Sequence, residues 1–129
     1  MIKIKTNVLL IDDDPAFTSL LRANLENTGR YRVREENDSR RALASAREFE
    51  PDIILLDVSM PNMGGGDVTS QLRNDPATSG VPIIFLALVD SEEVPIGGTV
   101  SAGHRFLPKP VAVAEVIDCI ESQLKTRGR

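Results

Sequence analysis

With 129 residues, of which 41% are hydrophobic and 26% charged, the chain has the size and composition of one globular domain. The net charge of -4 leaves no basic excess to neutralise phosphates, so we do not expect nucleic acid as a partner. The single cysteine, Cys119, excludes an intrachain disulfide and favours a reducing compartment. The sequence has neither a signal peptide nor an apolar run of membrane-spanning length, so we expect a cytoplasmic protein without membrane contact.

The first predicted element is an aliphatic strand, Val8–Ile11, which ends in three consecutive aspartates. Asp14 is expected to cap the helix that follows, and Pro15 suits the first turn of that helix. The spacing of four apolar residues places them on one helical face: Phe17, Leu20, Leu21 and Leu25. Gly29 is a natural stop for this helix.

A shorter and more polar strand, Tyr31–Arg34, has the character of an edge strand. Residues 37–39 are expected to cap a second helix, which ends before Pro51. The apolar residues of that helix are Ala42, Leu43, Ala46 and Phe49.

The aliphatic run Ile53–Leu56 ends in Asp57 and is followed by a loop rich in proline and glycine. An uninterrupted run of this kind indicates a strand that is buried on both faces of a parallel sheet. A third helix is predicted over Asp67–Arg73, and another buried strand over Val81–Leu88.

The next segment is less regular, because prolines and glycines within Val94–Gly103 interrupt any helix that begins at Ser91. We therefore expect the fourth helix to be short or distorted. A brief fifth strand, Arg105–Leu107, leads into Pro108-Lys109-Pro110. The closing helix has one apolar face, formed by Val113, Val116, Ile117, Ile120 and Leu124.

Five strands thus alternate with helices along the whole chain. This alternation predicts right-handed crossovers and an α/β fold, with a doubly wound, five-stranded parallel sheet covered by helices on both faces. The absence of an internal repeat or linker in the sequence predicts a single domain over residues 1–129.

Charged residues follow three of the predicted strands: Asp12 and Asp13 after the first, Asp57 after the third and Lys109 after the fifth. The carboxyl ends of parallel strands share one edge of the sheet, so these residues can converge. Converging carboxylates resist joint ionisation unless a cation neutralises them. Mg²⁺ suits such oxygen ligands and can complete its coordination with water and phosphate oxygens.

Such a site favours phosphoryl transfer, with Asp57 as the nucleophile and the Lys109 ammonium paired with Asp57 or with the phosphoryl group. Each residue also has a simpler explanation. Asp13 and Asp14 can belong to a helix cap, Asp57 can cap the loop after its strand, and Lys109 can be an ordinary loop lysine.

Four motifs in this order resemble the receiver domains of response regulators in two-component signalling. They are VLLIDDDP (residues 8–15), LLDVSMPNMGG (55–65), PIIFLAL (82–88) and FLPKP (106–110). The resemblance covers nearly the whole chain and implies the flavodoxin-like fold of chemotaxis-type regulators, with strand order 2-1-3-4-5.

By this resemblance Asp57 is the phosphoacceptor, and Lys109 contacts the phosphoryl oxygens. Asp13 and Asp57 would bind Mg²⁺ through their side chains, Ser59 through its backbone carbonyl, and Asp12 through water. Such a domain catalyses its own phosphorylation and dephosphorylation rather than the turnover of a separate substrate. The resemblance also implies a cis peptide bond between Lys109 and Pro110.

Two positions depart from the family pattern. Receivers carry Thr or Ser at the end of the fourth strand, and here that switch position is Ala87. The second switch position, commonly Tyr, is Phe106. Neither residue has a hydroxyl group, so we expect weakened coupling between phosphorylation and the surface. The interrupted segment Val94–Gly103 falls where the family has its output face. It predicts either a flexible or reshaped output surface or an ordinary irregular loop with no special role.

Because the sequence shows no output domain, we expect a stand-alone receiver. It would take a phosphoryl group from a histidine kinase or phosphotransfer protein and signal to a downstream protein, with a homodimer as a further option. One alternative is a receiver-like interaction module that works without phosphorylation. A more distant alternative, prompted by the three aspartates after the first strand, is a phosphatase of the haloacid dehalogenase type.

Overall fold

The fold is described from a computed structural model, which describes residues 5–88, 100–101, 104–109 and 111–125. Six strands belong to one sheet: β1 (Thr6–Ile11), β2 (Tyr31–Glu36), β3 (Ile53–Asp57), β4 (Ile83–Leu88), β5 (Val100–Ser101) and β6 (His104–Lys109). Their spatial order is β2-β1-β3-β4-β6-β5.

Five of these strands are parallel and have the predicted order, with β6 as the predicted fifth strand. β5 pairs antiparallel with β6 at the sheet edge and was not predicted. Its two residues lie within the segment rich in proline and glycine, and a strand of this length is too short to produce a periodic pattern.

The helices are α1 (Pro15–Glu26), α2 (Ala42–Phe49), α3 (Gly65–Arg73) and α4 (Val113–Lys125), with a 3₁₀ turn at Ser39–Arg41 before α2. α3 begins two residues before its predicted start, and β4 begins two residues after its own. The helix predicted to begin at Ser91 and the Lys109–Pro110 peptide bond lie outside the described residues.

Neighbouring residues of the central strands pack into separate cores on the two sides of the sheet. Val8, Leu10, Ile53 and Leu55 contribute to one core, together with residues of α1 and α4. Their neighbours Leu9, Ile11, Ile54 and Leu56 contribute to the other, together with residues of α2 and α3. β3 is buried at all five of its residues, as its uninterrupted aliphatic run predicted.

α1 begins as predicted, because the side chain of Asp14 accepts hydrogen bonds from the backbone N–H groups of Ala16 at 3.1 Å and Phe17 at 3.3 Å. The prediction that Leu20 belongs to its apolar face is wrong, because Leu20 is 66% exposed. Consecutive helical residues differ by about 100° around the axis, so Leu21 takes the core position instead.

Cys119 is buried in α4, where its spacing placed it, and burial raises the pKa of its thiol. This sulfur is therefore a small core group. Within the described part of the chain, every helix is too short or too polar to cross a lipid bilayer.

Gly65, the first residue of α3, lies against the backbone that carries Asp57. A Cβ at this position would be 2.8 Å from the Cα of Val58 and 3.3 Å from the carbonyl oxygen of Asp57. We expect Gly65→Ala to lower the free energy of unfolding by about 1–3 kcal/mol, because the strand end must shift. Denaturant titration measures this change.

Gly66→Ala is the matched control, because a Cβ there meets nothing within 4 Å. Alanine also favours helix over glycine, so Gly66→Ala should be neutral or stabilising by up to about 1 kcal/mol. Equal stabilities of the two variants would contradict the steric argument.

Candidate functional site

The carboxyl ends of β1, β3 and β6 bring the four charged candidates together at one edge of the sheet. One carboxylate oxygen from each of Asp12, Asp13 and Asp57 lies within 4.8 Å of the other two. Asp12 and Asp57 are buried, whereas Asp13 is exposed. Lys109 is the last residue of β6, and its side chain reaches the same cluster.

Lys109 lies nearer to Asp12 than to Asp57. Its Nζ donates a hydrogen bond to Asp12 Oδ2 at 2.7 Å and is 4.0 Å from Asp57 Oδ1. The other oxygen of Asp12 accepts a hydrogen bond from the backbone N–H of Asp14 at 3.0 Å. Both Asp12 oxygens thus accept hydrogen bonds from the protein. The Lys109 ammonium lies between the two buried carboxylates, with Asp12 as its principal partner.

Asp57 is a buried carboxylate whose charge is incompletely compensated. Its pKa rises from 3.8 to about 6, mainly because of burial and next because of the neighbouring Asp12 charge. The Lys109 ammonium opposes this rise, as does the Ser59 backbone N–H, which donates to Asp57 Oδ1 at 3.3 Å. The group is still ionised at neutral pH, and it gains from any added positive charge.

These residues fit a hard divalent cation. Carboxylate oxygens are the ligands that Mg²⁺ prefers, and Asp13 and Asp57 can each offer one while Asp12 is held by Lys109 and the Asp14 amide. Burial and the neighbouring Asp12 charge raise the pKa of Asp57, so a cation beside this carboxylate would stabilise its ionised form. Ser59 follows directly after the Asp57 strand, and its role as a carbonyl ligand stays a prediction.

Two further residues, which the sequence interpretation missed, hold the backbone of the site. Asn37 Nδ2 donates to the carbonyl oxygen of Asp12 at 2.8 Å and to the hydroxyl of the buried Thr18 at 3.0 Å. The hydroxyl of Ser39 donates to the carbonyl oxygen of Pro61, in the loop after Asp57, at 3.1 Å. The sequence did offer a signal for Asn37. This residue directly follows β2, so it lies at the same carboxyl edge of the sheet as the aspartates.

The two predicted switch positions lie on neighbouring strands at the same edge of the sheet as Asp57. Asp57 pairs in register with Leu86, so the buried Ala87 is one residue further along β4. Phe106 on β6 is half-buried and stacks on Phe85, with ring centroids 5.2 Å apart and an interplanar angle of 27°. The ring of Phe106 is thus held against β4, the strand that carries Ala87.

This architecture defines a class: a flavodoxin-like α/β domain with an acidic site at the carboxyl edge of its parallel sheet. A family model described as the response regulator receiver domain matches residues 8–121. The chain belongs to this family of receiver domains.

Curated relatives agree with this assignment. Protein PilH of Pseudomonas aeruginosa is 32% identical over 117 residues, which cover 91% of this chain and 96% of PilH. The transcriptional regulator RpaA of Synechocystis is 34% identical over 122 residues, which cover 95% of this chain but 50% of RpaA. The chain therefore spans about half the length of some of the curated relatives it matches.

Solved structures show the same fold. A response-regulator structure from Chloroflexus aurantiacus superposes with a TM-score of 0.81 at 26% identity, covering 94% of this chain and 98% of that one. The receiver domain of a sensor histidine kinase from Pseudomonas aeruginosa has a TM-score of 0.78 at 28% identity, with 94% and 98% coverage. That structure has a magnesium ion coordinated in its active-site cleft.

Family membership confirms the resemblance and the fold that were read from the four motifs. It favours neither the phosphorylation-independent module nor the haloacid dehalogenase type of phosphatase.

Proposed function

We propose that this receiver accepts a phosphoryl group on Asp57 from a histidine kinase or phosphotransfer protein, with Mg²⁺ as cofactor. Signalling would then proceed through contacts with a downstream protein in the cytoplasm, and residues 1–129 would form one receiver domain. The observation that carries this proposal is the convergence of three aspartates and Lys109 at one edge of the sheet.

In the proposed step, a carboxylate oxygen of Asp57 forms a bond to phosphorus while the phosphorus–nitrogen bond of a phosphohistidine donor breaks. The imidazole of the donor, which carries a proton on its other ring nitrogen, leaves as a neutral group with the electron pair of that bond. Asp57 enters this step ionised, because neutral pH lies above its pKa of about 6. Lys109, 4.0 Å from Asp57 Oδ1, is close enough to contact an oxygen of the incoming phosphoryl group.

Asp13, Asp57 and the Ser59 carbonyl are the proposed ligands of Mg²⁺, and Asp12 would act through water. When bound, the metal neutralises charge on the phosphoryl oxygens. The role of Asp12 agrees with its geometry, since both of its carboxylate oxygens already accept hydrogen bonds from the protein.

The direct test is phosphorylation by acetyl phosphate, followed by intact-mass spectrometry. With Mg²⁺ the protein should gain the mass of one phosphoryl group, and hydroxylamine should remove it, because an aspartyl phosphate is an acyl phosphate. With EDTA the mass should stay unchanged. A folded protein that gains no mass in the presence of Mg²⁺ would refute the proposal.

A hydroxyl at position 87 should strengthen the switch. We expect Ala87→Thr to enlarge the phosphorylation-dependent change in the NMR signals of the Phe106 ring, because Thr can donate a hydrogen bond to a phosphoryl oxygen and Ala cannot. Ala87→Val is the matched control, since Val has the size of Thr without its hydroxyl and meets the same buried surroundings. A change of equal size in wild type, or in Ala87→Val, would show that the missing hydroxyl is not limiting.

A further inference from the structure

Phe17, in the first turn of α1, has its ring beside the site lysine. The Nζ of Lys109 lies over this ring, 4.6 Å from its centroid. The same ammonium is 2.7 Å from Asp12 Oδ2 and 4.0 Å from Asp57 Oδ1. We propose that Phe17 is a positioning residue for Lys109, whose ring holds the ammonium between the two carboxylates. This role rests on the function proposed above.

An aromatic ring is well suited to this task. Lys109 has a flexible four-carbon side chain that is 15% exposed, so its ammonium needs contacts that restrict it. The face of an aromatic ring attracts a cation, and the attraction grows when water is excluded. A ring also offers no strong acceptor oxygen, so it leaves the N–H groups of Lys109 available to a phosphoryl group.

The position of Phe17 is set by the turn that carries the acidic residues. Asp14 follows the Asp12–Asp13 pair and accepts a hydrogen bond from the Phe17 backbone N–H at 3.3 Å. Asp12 in turn accepts one from the Asp14 N–H at 3.0 Å. The acidic turn, the start of α1 and the Phe17 ring are thus linked through consecutive hydrogen bonds.

The simpler explanation is that Phe17 only fills space. It is half-buried against the core on the α1 side of the sheet. It also lines an apolar groove of about 150 Å³ between α1 and the start of α4, together with Leu20, Leu21, Asn24, Val111 and Val113. A leucine serves this packing almost as well as a phenylalanine, whereas only an aromatic ring attracts the ammonium. Replacement by leucine therefore separates the two roles.

The experiment compares wild type with Phe17→Leu, which loses the ring, and Phe17→Tyr, which keeps it. Leu20→Ala is the control, because Leu20 lines the same groove but is largely exposed. The first measurement is the NMR shift of the Lys109 ε-methylene protons, which the ring current displaces. We expect this displacement in wild type, Phe17→Tyr and Leu20→Ala, and its loss in Phe17→Leu.

The second measurement is the rate of phosphorylation by acetyl phosphate at saturating Mg²⁺, with folding of each variant checked by its unfolding midpoint. We expect Phe17→Leu to react about three- to tenfold more slowly, and Phe17→Tyr to restore most of the rate. Leu20→Ala should react like wild type. Should Phe17→Leu be unstable, Phe17→Met supplies an unbranched apolar side chain for the same comparison.

The outcomes separate this inference from the proposed function. If wild type is phosphorylated and Phe17→Leu keeps its rate, or Phe17→Tyr fails to restore it, the role of Phe17 is overturned while that of Asp57 stands. Unchanged Lys109 proton shifts in Phe17→Leu would also overturn it. If wild type itself takes up no phosphoryl group, the proposed function fails and the role of Phe17 fails with it.

Discussion

Replacing Asp57 with asparagine is expected to abolish phosphorylation and, in the absence of Mg²⁺, to make the protein more stable. The folded protein raises the pKa of Asp57 from 3.8 to about 6, chiefly through burial. A carboxyl group whose pKa is raised by folding stabilises the fold most below its ordinary pKa, and this contribution is lost as the pH rises through about 6. At neutral pH the ionised group therefore costs on the order of 1–3 kcal/mol, which asparagine avoids.

Urea denaturation in EDTA measures the expected gain in the free energy of unfolding. The difference between the two proteins should shrink as the pH falls through 6 towards 3.8, because wild-type Asp57 then becomes neutral. Adding Mg²⁺ at neutral pH should stabilise wild type more than Asp57→Asn, because the variant has lost a carboxylate ligand.

Asp118→Asn is the control, since Asp118 is an exposed carboxylate on α4. It should change neither phosphorylation nor the response to Mg²⁺. An Asp57→Asn protein that is less stable than wild type at neutral pH would show that the buried carboxylate is better compensated than its surroundings indicate. Phosphorylation of that variant would place the acceptor elsewhere.

Replacing Lys109 with methionine should have the opposite effect on stability. Methionine keeps an unbranched side chain but removes the ammonium that lies 2.7 Å from Asp12 and 4.0 Å from Asp57. Two buried carboxylates are then left without this positive charge, so we expect the free energy of unfolding without Mg²⁺ to fall by about 3 kcal/mol. Urea denaturation in EDTA measures this loss.

The same variant should bind Mg²⁺ more tightly, by roughly tenfold, because no ammonium repels the ion within the cluster. Isothermal titration calorimetry measures this affinity. Lys125→Met, at the exposed end of α4, is the matched control and should leave both quantities unchanged. Weaker Mg²⁺ binding by Lys109→Met would mean that the lysine organises the carboxylates for the metal rather than competing with it.

The fold was largely predictable because each strand of the parallel sheet has a distinct local pattern. The run Ile53–Leu56 is a clear case: its continuous aliphatic residues indicated burial on both faces, and the structure buries all four of them. The prediction of structure failed at positions where the local sequence pattern says little about burial or strand pairing. Leu20 satisfies helical spacing yet is exposed, and the two residues of β5 are paired only through β6.

The four charged residues of the candidate site were predictable from the sequence, whereas its supporting residues and its contacts were not. The polarity of parallel strands placed Asp12, Asp13, Asp57 and Lys109 at one edge without any knowledge of distances. No local pattern indicated that Asn37 would donate to the Asp12 carbonyl, because 25 residues separate them in sequence.

Sequence alone therefore determined which residues share the carboxyl edge of the sheet, since strand direction follows from the alternation of strands and helices. Tertiary structure decided which atoms come into contact there. The Lys109 ammonium donates a hydrogen bond to Asp12 rather than to Asp57, and it lies over the Phe17 ring. It also decided the raised pKa of Asp57, because burial and the distance to Asp12 depend on how β1 and β3 align and on how the helices cover them. Such distances arise only when segments far apart in sequence pack against one another.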